Sequence, residues 1–178
     1  MIIGISGTNS SGKDTVAKYI ESKGFFHVSL SDIIREEMGK ENIGINRDNM
    51  IAFSNDFGQA HGAEILAKMA FERYGNLDKL VISSVRKPAE VDFFHSIPDF
   101  KLIFVDVPAE IRYDRMLKRG REGEDILSFE DFRTLQEKEM NGTNSQNLSY
   151  CKEKADYVIN NSNTINILYE KIDEIIEK

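Results

Sequence analysis

Short, wholly apolar runs alternate along the chain with longer stretches in which apolar residues recur every three or four positions. Ile2 to Ser6 is the first apolar run. Residues 13–23 follow it with Val16, Ala17, Tyr19 and Ile20 at helical spacing. Phe26 to Ser29 reads as a second strand. Ser31 or Asp32 then caps a predicted helix that runs to about Gly39. A long helical stretch opens at Asp48 and reaches about Tyr74, with Gly58 and Gly62 marking a break or a close approach inside it. Leu80 to Ser84 is a third strand, and Pro88 suits the first position of the next helix. Leu102 to Val107 is a fourth strand, followed by helices at about 108–119 and 129–140. Tyr157 to Asn160 is a fifth. The closing helix sets Ile165, Leu168, Ile172, Ile175 and Ile176 on one stripe.

Apolar strands that alternate with helices predict a parallel sheet buried on both faces, hence an α/β domain of three layers. In such sheets ligands bind at the carboxyl ends of the strands. The segments richest in reactive side chains all fall at those ends.

Composition narrows the class. The chain has 178 residues, 40% of them hydrophobic and 30% charged, which is the make-up of one globular domain. A net charge of −7 argues against a nucleic-acid partner. Any polyphosphate must then meet a local basic patch. The single cysteine, Cys151, allows no internal disulfide. No apolar run approaches the roughly 20 residues of a membrane span, and no signal peptide is visible. The expectation is a cytoplasmic protein that binds no membrane.

Gly7-Thr8-Asn9-Ser10-Ser11-Gly12-Lys13 fits the phosphate-binding Walker A pattern between a strand and a helix. Backbone N–H groups of such a loop cradle phosphate oxygens, and the following helix aims its positive end at them. Lys13 is placed to reach the β- and γ-phosphates of ATP and to offset charge during transfer. The next position departs from the pattern, with Asp14 and then Thr15 where a hydroxyl usually holds Mg²⁺. The third strand carries no carboxylate near its end either. Asp14, with Thr15, is therefore the candidate metal site, directly or through water; the alternative is an acid that only favours a helix N-terminus.

Ser29-Leu30-Ser31-Asp32-Ile33-Ile34-Arg35 resembles the segment after the second strand of adenylate kinases and related nucleoside monophosphate kinases. In that family an arginine here grips the acceptor's phosphate, a role the resemblance gives to Arg35 beside Ser31 and Asp32. Arg86, after the third strand, matches a second such arginine. Two guanidinium forks suit a phosphate dianion. The stretch Ala155 to Asn161 and the helix behind it resemble the end of dephospho-CoA kinases. There the turn after the last strand lies near adenine, which places Asn160 and Asn161 near the base or merely in the turn. The segments at 46–49 and 59–62 fit neither family closely.

Arg112, Arg115, Lys118, Arg119 and Arg121 form the densest basic run, with Arg112, Arg115 and Arg119 on one helical face. Monophosphate kinases carry such arginines at the base of a mobile lid. The resemblance implies a short lid at about 115–128, with Gly120 and Gly123 as hinges and Arg115 and Arg119 as catalytic cations; a solvated face paired with Glu122, Glu124 and Asp125 is the alternative. Asp32 is a candidate general base for a hydroxyl acceptor, a group ordering metal-bound water, or a helix cap. His61 is a candidate contact to the acceptor's base or sugar. Cys151, Phe53, Phe57 and Phe71 read as core.

Together these features predict a P-loop fold of five parallel strands, ordered 2-3-1-4-5, that uses ATP and Mg²⁺ to phosphorylate a small nucleotide-like molecule. A nucleoside monophosphate is the first expectation for the acceptor. A hydroxyl acceptor such as dephospho-CoA is second, and a slowly hydrolysing nucleotide switch or degenerate kinase is third. The oligomeric state is open.

Overall fold

The computed structural model describes residues 1–120, 128–142 and 146–177. In chain order the elements are β1 (Ile2–Gly7), α1 (Lys13–Ser22), β2 (Phe26–Ser29), α2 (Leu30–Lys40), α3 (Arg47–His61), α4 (Ile65–Tyr74), β3 (Leu80–Ser83), α5 (Pro88–His95), β4 (Phe100–Asp106), α6 (Ala109–Arg119), α7 (Phe129–Asn141), α8 (Leu148–Glu153), β5 (Tyr157–Asn160) and α9 (Ile165–Ile176). The strands form one sheet in the order β2-β3-β1-β4-β5, parallel at every pairing. This is the expected order.

Side chains that alternate along the strands divide the core in two. Ile2, Leu80, Ile82, Leu102 and Phe104 face a layer built from α2, α3, α4, α5 and α8. Ile3, Ile5, Val81, Ile103, Val105 and Ile159 face α1 and α9. Burying each such side chain contributes about 1.5–3 kcal/mol. Both faces are covered, so the three-layer expectation holds. Phe53 is buried, Phe57 and Phe71 pack against the same cluster, and Cys151 is fully buried.

Several boundaries differ from the sequence expectation. The second helix starts at Leu30 with Ser29 as its N-cap, so Ser31 and Asp32 lie inside its first turn rather than capping it. The long stretch to Tyr74 is two helices. Gly62 separates them at φ +104°, a conformation L side chains rarely adopt; Gly58 stays helical. Strand β4 begins at Phe100, where the exposed Lys101 interrupts the apolar run. Helix α8 was not predicted. On α9, Leu168, Ile172 and Ile175 are buried, but Ile165 is 51% exposed and lies off the stripe. Among the described residues no helix is long and apolar enough to cross a membrane.

Candidate active site

The ends of β1, β3, β4 and β5 converge on the loop at 7–13. Gly12 is the N-cap of α1 at φ +92°, and an added Cβ there would run into the side-chain amide of Asn161. The backbone closes tightly, with Ser11 N–H donating to Thr8 O and Thr15 and Val16 N–H donating to Gly12 O. Ser10 holds a left-handed conformation at φ +60°, which is uncommon and costly outside glycine.

The hydroxyls of Thr8, Ser10 and Ser11 are buried, and no hydrogen-bond partner meets them among the described residues. Such groups are seldom left unpaired. Phosphate oxygens are partners of the right kind, delivered where the N-terminus of α1 is positive. Lys13 is 7% exposed, and its ammonium donates to Thr8 O at 3.5 Å. Burial first, then the Arg86 charge, pushes its pKa down to about 8; Asp14 and Glu139 pull it up, and Arg119 pushes it further down. The loop thus presents a confined cation among unpaired hydroxyls, which fits a polyphosphate. Asn9 is half-buried on its outer turn.

Asp14 and Thr15 occupy the first turn of α1, Asp14 exposed and Thr15 half-buried. An exposed carboxylate beside a phosphate site suits Mg²⁺, which keeps several waters and takes few protein ligands. Strand β3 ends in Ser83 and Ser84, with Ser84 left-handed at φ +66°. His27 Nε2 meets Ser83 Oγ at 2.8 Å, and Ser29 Oγ meets Ser84 Oγ at 3.2 Å. Hydroxyls, not a carboxylate, end this strand.

Asn161 does something the sequence did not suggest. Its side-chain amide donates to Ser11 O at 2.8 Å, and its carbonyl accepts from Arg115 Nη2 at 2.8 Å. Arg115 Nη1 also reaches Ser11 O, at 3.4 Å. Asn161 and Arg115 therefore brace the back of the phosphate loop. Asn160 is exposed and accepts from the Ser162 N–H, as a turn residue does.

The basic face of α6 divides. Arg112 is buried, donating to Val107 O at 2.8 Å and to Gln136 Oε1, with its guanidinium over the Phe132 ring. It fastens α6 to α7. Arg119 is the last residue of α6, directly before the Gly120 cap, and its charge reaches Lys13. Arg121, the proposed hinge Gly123 and the acids Glu122, Glu124 and Asp125 lie outside the described residues.

Arg86 follows β3, half-buried. Its Nη1 donates to Gln146 Oε1 at 2.9 Å, and its Nε is buried without a partner among the described residues. The buried Glu90 fixes the turn by accepting from the N–H groups of Arg86 and Lys87, at 2.9 and 3.0 Å. Burial pushes the Glu90 carboxyl up. Arg35 instead pairs with Asp32 one turn away on α2, both well exposed. Ser31 is half-buried beside them. His61 is exposed at the end of α3, its ring against Phe57 at 4.6 Å.

One residue here was missed. Glu139 of α7 is 9% exposed and pairs with Arg47 of α3 through Oε1. Its sequence surroundings, Gln136-Glu137-Lys138-Glu139, read as a solvated face; only the packing of α7 turns Gln136 and Glu139 inward.

The model of the AAA domain family matches residues 3–140. Among curated proteins, the UPF0200 protein of Sulfurisphaera tokodaii is 31% identical over 179 residues, covering 99% of this chain and 96% of that one. The UPF0200 protein of Thermococcus onnurineus is 32% identical over 185 residues, covering 100% and 97%. Among solved structures, a shikimate kinase from Bacteroides thetaiotaomicron superposes with a TM-score of 0.66 at 14% identity, covering 100% of this chain and 99% of that one. Deoxyadenosine kinase from M. mycoides with bound dATP gives 0.61 at 15%, covering both chains fully. At such identities the likeness is one of fold, that of P-loop kinases. By the domain match and its full-length relatives, the chain is an AAA-domain protein of the UPF0200 family.

Proposed function

We propose that this protein transfers the γ-phosphoryl group of ATP, with Mg²⁺, to a small nucleotide-like acceptor. The observation that carries the reading is the confined Lys13 ammonium, ringed by the unpaired hydroxyls of Thr8, Ser10 and Ser11 and leaned on by Arg86 and Arg119. Lys13 and Arg119 would offset charge on the transferring group, and Arg115 would hold the loop that binds it. Asp14 and Thr15 would hold Mg²⁺, which supplies charge neutralisation across the phosphates. Arg86 would hold an anionic part of the acceptor.

Two acceptors suit a cleft of this kind. A nucleoside monophosphate, implied by the resemblance to monophosphate kinases, calls on Arg35 and Arg86 together. Arg86 is the strongest charged influence on Lys13, whereas Arg35 is engaged by Asp32 at the surface. That difference favours the second acceptor, a hydroxyl-bearing nucleotide of the dephospho-CoA kind. The test is ADP release from ATP and Mg²⁺ with each nucleoside monophosphate and with dephospho-CoA in turn. Release above the acceptor-free rate with one of them, lost at least 10²-fold in Lys13→Ala with no drop in melting temperature, is the expected result. Equal rates in wild type and Lys13→Ala would remove the phosphoryl-transfer reading. Nucleotide binding with no acceptor-dependent release would leave a switch.

A further inference from the structure

The carboxylate of Glu139 is bound at one oxygen and open at the other. Oε1 receives the Arg47 guanidinium, which reaches it from the start of α3, 92 residues away in sequence. Oε2 is buried, and among the described residues no donor meets it. A buried carboxylate oxygen without a donor is unfavourable. A ligand carrying an O–H or N–H would supply one. Nearby polar atoms are in the same condition. Arg112 Nη1 and Gln136 Nε2, which belong to the pair linking α6 to α7 one turn before Glu139, are also buried and unpartnered. Among the described residues these donors and this acceptor stand unpaired, which suits a polar, hydroxylated ligand better than a bare anion.

Position decides what that ligand meets. Arg112, bonded to Gln136 one turn before Glu139, also donates to Val107 O just past β4, whose Val105 pairs with Gly7, so Glu139 stands at the strand ends that carry the loop at 7–13; its charge acts on Lys13. A carboxylate at that end of the sheet would repel an acceptor that attacks through a phosphate dianion. It would assist one that attacks through a hydroxyl, whose proton must leave as the new bond forms. The other candidate acid, Asp32, has a side chain 69% exposed and paired with Arg35. Water screens it, and its partner occupies it.

We infer that Glu139 is the general base of the transfer and that the acceptor reacts through an alcohol hydroxyl. The inference rests on the phosphoryl-transfer reading above. The hydroxyl oxygen forms a bond to the γ-phosphorus. The bond from that phosphorus to the bridging oxygen breaks, and its electron pair leaves on ADP. The hydroxyl proton passes to Glu139 Oε2 and later to solvent. Arg47 is a positioning residue, fixing Oε1 so that Oε2 points at the acceptor.

The same base must act on water when no acceptor is present, so the test needs no identified acceptor. Full-length wild type, Glu139→Gln, Arg47→Met and Asp32→Asn are compared for acceptor-free ADP formation from ATP and Mg²⁺ under single turnover. Affinity for a fluorescent ATP analogue is measured in parallel. Glutamine keeps the shape and the bond to Arg47 but accepts no proton. Glu139→Gln should slow ADP formation about 10²-fold while nucleotide affinity stays within twofold. Arg47→Met should slow it less, and Asp32→Asn should change it little. Unaltered ADP formation in Glu139→Gln, a larger loss in Asp32→Asn, or no ADP formation by wild type with ATP bound would each overturn the assignment. Loss of nucleotide binding by wild type itself would instead overturn the phosphoryl-transfer reading.

Discussion

Asp14 and Glu139 both pull the pKa of Lys13 upward, yet water treats them differently. Asp14 is exposed on the first turn of α1, whereas Glu139 is shut in by α7 and Arg47. An exposed carboxylate can enter the water shell of a hard cation without being stripped of its own. Asp14→Ala should therefore raise the Mg²⁺ concentration for half-maximal turnover several-fold while the ATP requirement moves little; a Mg²⁺ titration identical to wild type would leave Asp14 as a helix-end acid. The loop between β1 and α1 is legible in the sequence because its glycine, hydroxyl and lysine spacing is local to seven residues. Glu139 was not legible for the opposite reason. It pairs with Arg47 and its charge acts on Lys13, both far from it in sequence, and one polar residue on a polar helix leaves no mark in a linear pattern. Arg112 shows the same limit. Its spacing groups it with Arg115 and Arg119, but only the Phe132 ring and the Gln136 amide show that it is an internal fastener.

At the scale of elements, strands β2 and β5 fall within the limits read from the sequence, since short apolar runs between turns have few alternatives. Helix α8 escapes because its six residues are too short to display a helical period. Its Leu148 and Cys151 are core all the same, and burial pushes the Cys151 thiol up to about 12, far from a reactive thiolate. The turn after β5 illustrates how an element acquires a role from its neighbour. Asn161 is held by Asp106 O through its backbone N–H, at 2.9 Å, and holds Ser11 and Arg115 in turn. Asn161→Ala removes the amide behind the loop and opens space against Gly12. It should weaken ATP binding about tenfold, the effect of losing roughly 1.4 kcal/mol, and lower the melting temperature by only a few degrees. Calorimetric titration checks the first and thermal unfolding the second. Unchanged affinity would reduce Asn161 to a turn residue.

For the molecule as a whole, the buried lysine links stability to pH. Its folded pKa, about 8, lies below the 10.5 of the unfolded chain. Below pH 8 both states hold the proton and the penalty of burying the charge is fully present. Between about 8 and 10.5 only the unfolded state holds it, so stability rises with pH through that window, by roughly 3 kcal/mol in the limit. Lys13→Met should accordingly be more stable than wild type at pH 7, with the gap closing as pH approaches 10; chemical denaturation at several pH values measures it. ATP restores the charge, so its binding should take up a proton near pH 8.5 and weaken above it. A gap that stays constant with pH would show that Lys13 keeps its ordinary pKa. The brace behind the phosphate loop has a further consequence, one of timing. The loop is written in the first thirteen residues, but Asn161 is written near the other end. A ribosome emits the glycines and the lysine long before the amide that secures them. A nascent chain would therefore carry the loop before the amide that tightens it, and a rise in nucleotide affinity would mark the moment at which the last strand joins the sheet.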